Sequence, residues 1–192
     1  MRFPGFVSPW EEPGFDQWQG ELKTIDAVGV RVRLAEPVPE DGKWMRWMQA
    51  DSESATIQSV EFNVASITTK TVFLADVGGW PVGFCRAVAG RSLSDPLFVQ
   101  MIAVVPAARR RGVGLALLAA AASSQPDRDV VMATLDDNTA ARAMNERFAR
   151  SLGLEIRRVP IRSYRRSEMG LGPGEKHRPW LIERGAEAAG AD

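Results

Sequence analysis

The pattern of hydrophobic and polar positions predicts a chain of alternating strands and helices. Val28–Glu36 alternates apolar with charged residues, the period of two expected of a half-buried strand. Two helices are predicted next, over residues 42–51 and 53–67. Trp44 and Trp47 stand three residues apart, so they share one face of the first helix. We interpret this aromatic stripe as part of the core in preference to a substrate pocket.

The middle of the chain predicts a β-hairpin followed by a buried strand. Thr71–Val77 and Pro81–Val88 flank the pair Gly78-Gly79, and glycine adopts positive φ at little cost. Leu97–Val105 is a nearly continuous run of apolar residues, ended by a proline. Such a run is typical of a strand that is buried on both faces in the middle of a sheet.

The second half continues the alternation. In order, the pattern predicts a helix over residues 111–123, a buried strand over 129–135, a helix over 136–153, a proline-containing strand over 154–164 and a short strand within 179–184. The proline makes the strand over 154–164 an edge strand or a bulged one. Since strands and helices mix throughout, the expected fold class is α/β (α+β mixed), with a central mixed β-sheet flanked by helices.

A chain of 192 residues has room for one domain with a sizeable core. We expect residues 1–20 to be irregular in backbone and to pack onto the domain, because Trp10 and Trp18 lie there among prolines and glycines. Residues 21–184 would form the single domain, and residues 185–192 a frayed tail.

Composition excludes several classes of function. The 24 basic and 24 acidic side chains cancel, so no overall field attracts the chain to nucleic acid or to a membrane surface. The one cysteine and one histidine rule out a disulfide within the chain and a zinc site of several cysteines, and no metal is expected. No apolar run has the roughly 20 residues of a membrane span, so we expect a cytoplasmic protein.

The segment Ile102–Leu118 concentrates the charge that the chain otherwise balances. The triplet Arg109-Arg110-Arg111 stands beside Gly112, where a strand ends and a helix begins. The first N–H groups of a helix lack intrahelical partners and lie at the positive end of its dipole. Glycine lets a ligand approach the backbone, and arginine suits phosphate. The segment therefore predicts a pyrophosphate site, although it matches neither a Walker loop nor a dinucleotide fingerprint.

The same residues resemble the GCN5-related N-acetyltransferases (GNAT family). Their acetyl-CoA loop reads Gln or Arg, two residues, Gly, one residue, Gly or Ala, after a strand that ends in Val-x-Pro. The matching positions here are Val104-Val105-Pro106 for the strand end, Arg109, Gly112 and Gly114 for the loop, and Asn138, Ala141 and Met144 for the family's second motif. The resemblance covers residues 71–155. It implies a GNAT-like fold and acetyl-CoA, or another acyl-CoA, as cosubstrate.

The resemblance also implies roles for individual residues. The backbones of Ile102, Ala103 and Val104 would hold the pantetheine arm by strand-like hydrogen bonds. The backbone N–H groups of Arg110, Arg111, Gly112, Val113, Gly114 and Leu115 would bind the pyrophosphate, with the Arg109 side chain at the start of the loop. Asn138 would contact the pantetheine portion. The N–H of Val104 would face the thioester oxygen and stabilise the charge that develops there.

The catalytic residues of the family are only partly present. Members commonly have a tyrosine as general acid where this chain has Asn145, whose amide can hydrogen-bond a thiolate without protonating it. The single tyrosine, Tyr164, could enter the site from the next strand or could simply pack. Gln100 and Ala133 stand where relatives often place a glutamate as base. Asp136 or Asp137, near the start of the next helix, could remove the proton or could simply cap that helix, and solvent could act instead.

The leading hypothesis is an acyl-CoA-dependent N-acyltransferase that transfers acetyl to an amine of a small molecule or of a protein. One alternative is a GNAT-fold protein that binds CoA with little transfer, or that moves a different acyl group. Another is a protein that contacts nucleic acid through Arg109–Arg111 and the arginines of residues 157–166. A homodimer is possible, with the tryptophans lining either an acceptor groove or a dimer contact.

Overall fold

A computed structural model describes residues 8–26, 29–52, 56–92 and 94–184. In chain order the elements are α1 (Phe15–Thr24), β1 (Arg31–Leu34), α2 (Pro39–Asp51), α3 (Val60–Thr69), β2 (Thr71–Val77), β3 (Trp80–Ala89), β4 (Leu97–Val104), α4 (Val113–Ser123), β5 (Val130–Thr134), α5 (Thr139–Ser151), β6 (Ile156–Arg158) and β7 (Arg178–Ile182). Short 3-10 turns occupy Pro9–Glu11, Pro106–Ala108 and Ile161–Ser163. The expected frayed tail, residues 185–192, lies outside the described residues.

The seven strands form one mixed sheet in the order β1-β2-β3-β4-β5-β7-β6. β4 and β5 are parallel, whereas the pairs β1–β2, β5–β7 and β6–β7 are antiparallel. Gly78 and Gly79 have φ of 61° and 85°, as a two-residue hairpin turn requires. The predicted mixed α/β class, the central position of β4 and the edge position of β6, the strand predicted within 154–164, are confirmed.

β4 separates from β5 partway along its length. The parallel pairing runs from Leu97–Val130 to Val99–Met132, yet β4 continues to Val104 and β5 to Thr134. On the other side, Gly90 N donates to Pro96 O and Val105 N donates to Val82 O. Val82 and Gly90 are eight positions apart in the sequence, whereas their partners Pro96 and Val105 are nine positions apart. β4 therefore holds one residue more than β3, as a β-bulge does.

The contacts divide the chain into two compact units. The first comprises the described residues up to Phe84 together with Ala103–Leu117, and the second comprises Cys85–Ile102 together with the described residues from Leu118 onward. Two strands and one helix, β3, β4 and α4, run from one unit into the other. The single domain over residues 21–184 stays a prediction.

The core of the first unit is built around aromatic side chains. The rings of Phe15 and Trp18 lie 5.5 and 5.7 Å from the ring of Trp47, and all three side chains are buried. The Nε1 of Trp18 donates to Pro81 O, and that of Trp47 to Glu12 Oε2, so their polar atoms are satisfied. The interpretation of the tryptophan stripe as core is confirmed for Trp47, which is 2% exposed.

The expectation of an irregular backbone over residues 1–20 is wrong for its last six residues. Helix α1 begins at Phe15, directly after Gly14 at φ 89°, and buries Phe15, Trp18 and Leu22 along one face. The prolines that suggested an irregular backbone all precede the helix, and Gly20 lies on its exposed side. Burial of the aromatic face outweighs the low helix propensity of that glycine. Residues 1–7 lie outside the described residues.

The strand predicted over residues 154–164 is also shorter than expected. β6 ends at Arg158, and Ile161–Ser163 form a 3-10 turn in which Ser163 N donates to Pro160 O. Pro160 has no N–H to donate to a neighbouring strand, so the pairing with β7 stops before it. Similarly, β1 spans only Arg31–Leu34, and the start of its predicted range, Val28, lies outside the described residues.

We predict that Gly83→Ala destabilises the protein. A Cβ on Gly83 would meet Ala103 O at 2.8 Å and the side chains of Val113 and Leu117 at 3.2 Å. The carbonyl cannot yield without shifting β4, so we expect a loss of about 1–3 kcal/mol in the free energy of unfolding, measured by urea denaturation. Gly20→Ala, in helix α1, is the control. The new Cβ meets no atom within 4 Å, and the higher helix propensity of alanine should raise the free energy of unfolding by up to about 1 kcal/mol. Equal effects of the two changes would contradict this account.

Candidate functional site

The loop between β4 and α4 has two residues in the left-handed region. Arg110 has φ 61° and Gly112 has φ 82°; among the described residues, Arg110 is the only non-glycine with positive φ. Left-handed residues within a turn direct successive backbone N–H groups toward one side, an arrangement that binds anions. Holding an arginine in this conformation costs energy, and such strain concentrates at functional sites.

Helix α4 begins directly after this loop. Ala116 N donates to Gly112 O at 2.9 Å, which makes that carbonyl the first acceptor of the helix. The N–H groups of Val113, Gly114 and Leu115 consequently have no acceptor within the helix, and they lie at the positive end of its dipole. The predicted join of strand, turn and helix start is confirmed, with α4 beginning two residues later than predicted.

Gly112 leaves open space in front of the loop. A Cβ built on Gly112 meets no atom within 4 Å, and the residue is exposed. The glycine is therefore required for its positive φ, since nothing packs against it. The open side of the loop, its exposed N–H groups and its strained backbone fit a bound diphosphate.

Two of the three loop arginines bind the chain itself. Arg109 Nε donates to Val104 O at 3.3 Å and its Nη2 to Ser52 O at 3.1 Å, while Arg111 Nη2 donates to Ile25 O at 2.9 Å. Ser52 and Ile25 are the C-caps of α2 and α1, where cations are favourable. Thus these two side chains hold the loop in place.

Arg110 differs from its neighbours. It is exposed, and within the described ranges its side chain has no hydrogen-bond or ion-pair partner. Of the triplet, it is the guanidinium that remains available to a phosphate.

Asn138, predicted to contact pantetheine, is the N-cap of α5. Its Oδ1 accepts a hydrogen bond from Ala141 N at 3.0 Å, which explains the spacing of the family's second motif as a capping arrangement. Asn145 lies seven residues further along the chain, about two turns into α5, and is 2% exposed. Both residues belong to the second unit, as do Ile102 and Tyr164, whereas residues 103–115 belong to the first.

Tyr164 packs against the face of β4. Its ring lies 5.3 Å from that of Phe98, edge to face, and burial raises the pKa of its hydroxyl. It joins a cluster formed by Phe98, Val131, Val159, Met169 and Leu181. These contacts are those of a packing tyrosine, and its role as an acid stays a prediction.

The other catalytic candidates have structural partners. Gln100 Nε2 donates to Glu168 O at 2.8 Å, so its amide holds the connection between β6 and β7. Asp136 lies 3.5 Å from Arg158 and 3.5 Å from Arg178. Burial raises the pKa of the Cys85 thiol to about 12, which leaves that thiol uncharged and unreactive.

One conspicuous residue escaped the analysis of the sequence. Arg86 lies in the buried strand β3, is 9% exposed, and its Nε has no hydrogen-bond partner among the described residues. The signal was present as a lone arginine in the apolar run of Pro81–Val88, but a charged residue in a predicted hairpin is ordinarily a solvated one.

The family is shown by a match over more than half of the chain. Residues 39–149 match the acetyltransferase (GNAT) family, and the chain belongs to that family. It is accordingly an N-acetyltransferase that uses acetyl-CoA. No curated protein is significantly similar to the chain in sequence.

Solved structures of the same fold are similar across most of the chain. The diaminobutyrate acetyltransferase EctA of Paenibacillus lautus, in complex with its substrate and coenzyme A, is 20% identical, with 80% of this chain and 95% of that one covered and a TM-score of 0.60. The ribosomal-protein-S18-alanine N-acetyltransferase of Escherichia coli is 19% identical, with 80% and 92% covered and a TM-score of 0.54.

A third structure contains the cosubstrate. YncA of Salmonella typhimurium, a putative acetyltransferase with acetyl-CoA bound, is 15% identical, with 82% of this chain and 96% of that one covered and a TM-score of 0.54. At these identities the neighbours establish the fold, while acceptor specificity belongs to each protein separately.

The described residues offer neither a metal site nor a membrane-spanning helix. They contain no group of three or more His, Cys, Asp or Glu side chains that could hold a metal ion. None of the helices among them is both long and apolar enough to cross a membrane.

We predict that Arg109 and Arg110 affect CoA affinity in different ways. Arg110→Gln should lower the affinity about threefold at low ionic strength, because an exposed charge is lost, and the difference should vanish at 1 M salt. Arg109→Gln removes the hydrogen bonds to Val104 O and Ser52 O, so its loss of affinity should persist at high salt. Calorimetric titration with CoA at both salt concentrations checks this, and matching salt dependences would contradict it.

Proposed function

We propose that this enzyme acetylates a primary amine by direct attack on acetyl-CoA bound at the loop of residues 109–115. The supporting observation is the loop backbone: left-handed Arg110 and Gly112, open space before Gly112, and the free N–H groups that open α4. This arrangement binds a diphosphate through the main chain, independent of any one side chain.

The separation of β4 from β5 supports a second part of the site. Beyond Val99 the backbone of β4 is no longer paired with β5, so Ile102, Ala103 and Val104 can form strand-like hydrogen bonds with an amide-containing ligand. The pantetheine arm carries such amides. The N–H of Val104 would donate to the thioester oxygen and stabilise the charge that develops as the amine attacks.

Bound acetyl-CoA supplies the acetyl group as an activated thioester. Nitrogen forms a bond to the acetyl carbon, the carbon–sulfur bond breaks, and the amine proton leaves to solvent or to a nearby base. Asn145 stands where a tyrosine often serves relatives, and an amide can hydrogen-bond a departing thiolate but cannot protonate it. We propose that positioning and the Val104 N–H contribute most of the rate enhancement, with solvent completing the proton transfers.

The acceptor is an amine of a small molecule or of a protein. The structural neighbours include enzymes for both: a diaminobutyrate acetyltransferase and an acetyltransferase for the alanine of ribosomal protein S18. This diversity within one fold means that the acceptor has to be inferred from this chain's own residues.

The nucleic-acid alternative has little support from the side chains that suggested it. Arg157 pairs with Glu183, Arg158 with Asp136, and Arg166 Nη2 donates to the carbonyls of Gly172 and Glu175. Arginines bound to their own chain have less to offer a phosphate backbone. The possible homodimer stays a prediction.

A thiol-release assay tests the proposed function. With acetyl-CoA and a panel of amines, we expect CoA to form faster than in the absence of amine, together with an acetylated product in the mass spectrum. Clear CoA binding without transfer to any amine would support the alternative of a CoA-binding protein with little activity.

We predict that Gly112→Glu weakens CoA binding at least about tenfold, because a carboxylate would enter the space of the diphosphate. Gly79→Glu is the matched control. Gly79 has φ 85° and Gly112 has φ 82°, and a Cβ on either residue meets no atom within 4 Å. The two variants therefore introduce the same charge and similar backbone strain. Calorimetry should show weaker binding only for the Gly112 variant, and unchanged affinity in that folded variant would refute the loop assignment.

A further inference from the structure

Arg86 is a buried cation without a counter-charge. It lies in β3 and is 9% exposed, and its Nε is buried without a hydrogen-bond partner among the described residues. No carboxylate in those residues forms an ion pair with it, and the sulfur of Cys85 is the one nearby group that favours its charge. Burial lowers the pKa of the guanidinium from its very high usual value, which still leaves it charged at neutral pH.

The chain shows elsewhere how it satisfies a buried arginine. Arg46 is 4% exposed, and its Nε donates to Glu12 Oε1 at 2.6 Å and its Nη1 to Gln58 O at 2.8 Å. Arg128 and Arg184, both half-buried, donate to backbone carbonyls. Arg86 departs from this pattern, since the part of the chain that the structure describes provides neither a carboxylate nor a carbonyl for its Nε.

An unpaired buried charge is costly to the folded state. Removing a guanidinium from water costs several kcal/mol unless an anion or well-placed acceptors compensate. Replacing buried charged residues by apolar side chains of similar volume is often neutral or stabilising. A buried charge whose Nε has no hydrogen-bond partner among the described residues is typical of a site whose partner comes from outside.

Strand pairing places Arg86 at a functional position. The bond from Gly90 N to Pro96 O closes the hairpin between β3 and β4. Arg86 lies midway between the β3 ends of this bond and of the bond from Val105 N to Val82 O. Because β4 holds one extra residue between the two bonds, Arg86 lies across from Gln100 when counted from the first bond and from Met101 when counted from the second. Gln100 stands where GNAT relatives often place the glutamate that deprotonates the acceptor, and its amide contacts the β6–β7 connection.

The second unit carries further positive charge around Phe98. A cleft of about 410 Å³ is lined by Phe98, two residues before Gln100 on β4, and by Arg91, Arg162 and Arg165. The two carboxylates of the cleft already accept backbone N–H bonds: Asp95 Oδ2 from Ser92 N, and Glu168 Oε2 from Arg165 N. Accepting N–H bonds leaves both carboxylates charged, so the three arginines exceed them by one positive charge, which favours the approach of an anion.

We propose that Arg86 binds the carboxylate of the acceptor, and that the enzyme acetylates small amines that carry a carboxylate. This inference rests on the proposed function for the identity of the reaction. A guanidinium binds a carboxylate through two parallel N–H···O bonds, which fixes the direction of the ligand as well as its position. The anion also provides the missing counter-charge. Arg86 is in this account a specificity-determining residue.

The first test measures stability. We expect Arg86→Met to raise the melting temperature by about 2 °C or more, since a buried unpaired charge becomes an apolar side chain of similar size. Arg147→Gln, an exposed arginine on α5, removes the same charge as a control and should leave the melting temperature nearly unchanged. A clear fall in the melting temperature of Arg86→Met would mean that Arg86 supports the fold, and would overturn the proposal.

The second test uses ω-amino acids from glycine to 6-aminohexanoate as acceptors. Each acid is compared with the corresponding primary amide, which lacks the carboxylate charge. In the thiol-release assay we expect the wild type to favour at least one acid over its amide by about tenfold in kcat/KM. Arg86→Met should abolish this preference through a higher KM while the amides react as before, and Arg147→Gln should retain it. The intrinsic reactivities of the amines cancel when the same acid-to-amide ratio is compared between proteins. A ratio that is equal in wild type and Arg86→Met overturns the proposal.

A third test does not depend on activity. Sodium acetate should raise the melting temperature of the wild type above that in sodium chloride of equal ionic strength, and should have no such effect on Arg86→Met. If no amine is acetylated but acetate stabilises the wild type alone, the proposed function fails while the anion site at Arg86 stands. If acetate stabilises both proteins equally, the anion site fails, whatever the outcome of the transfer assay.

Discussion

The structure depends on one constraint, that β4 cannot pair with β5 along its whole length. Their parallel pairing ends at Val99–Met132, while β5 remains paired with β7 as far as Thr134–Arg178. The extra residue that β4 holds relative to β3 increases its local twist and turns it away from β5. A strand that leaves its neighbour exposes backbone N–H and C=O groups, which need other partners. We propose that the pantetheine arm of acetyl-CoA, which carries amides, provides these partners along β4.

Arginines hold the surroundings of that strand by binding carbonyls at helix ends. Arg109 reaches the C-cap of α2, Arg111 the C-cap of α1, and Arg184 the last turn of α4. Each places a cation at the negative end of a helix dipole while satisfying a carbonyl that has no partner within the helix. The loop of residues 109–115 is thereby held open before any ligand binds, and a held loop loses less entropy on binding. The triplet of arginines therefore serves mainly the shape of the site, with Arg110 left to contribute charge.

The sequence predicted what local pattern determines and missed what distant contacts determine. Gly78-Gly79, the apolar run of β4 and the loop before α4 are local signals, and each was confirmed. Helix α1 was missed because prolines before it hid an aromatic face that folds onto Trp47. The partners of Arg109 and Arg111 lie 57 and 86 residues away, so no reading of the motif could assign them. The contacts of Tyr164 with Phe98, similarly, follow from the path of the β6–β7 connection.

The case of Arg86 needs both the sequence and the structure. Its position in an apolar strand is visible in the sequence, but its lack of a partner among the described residues appears only once the fold has placed their carboxylates. Proteins are stable by a small margin, so a chain keeps a buried charge only if the charge serves something that folding does not require. Amine acceptors are cationic when free, and the cleft beside Phe98 is lined by arginines. A basic site repels a cationic amine. A carboxylate on the same molecule offsets this repulsion, because it is attracted to the arginines and brings the amine with it.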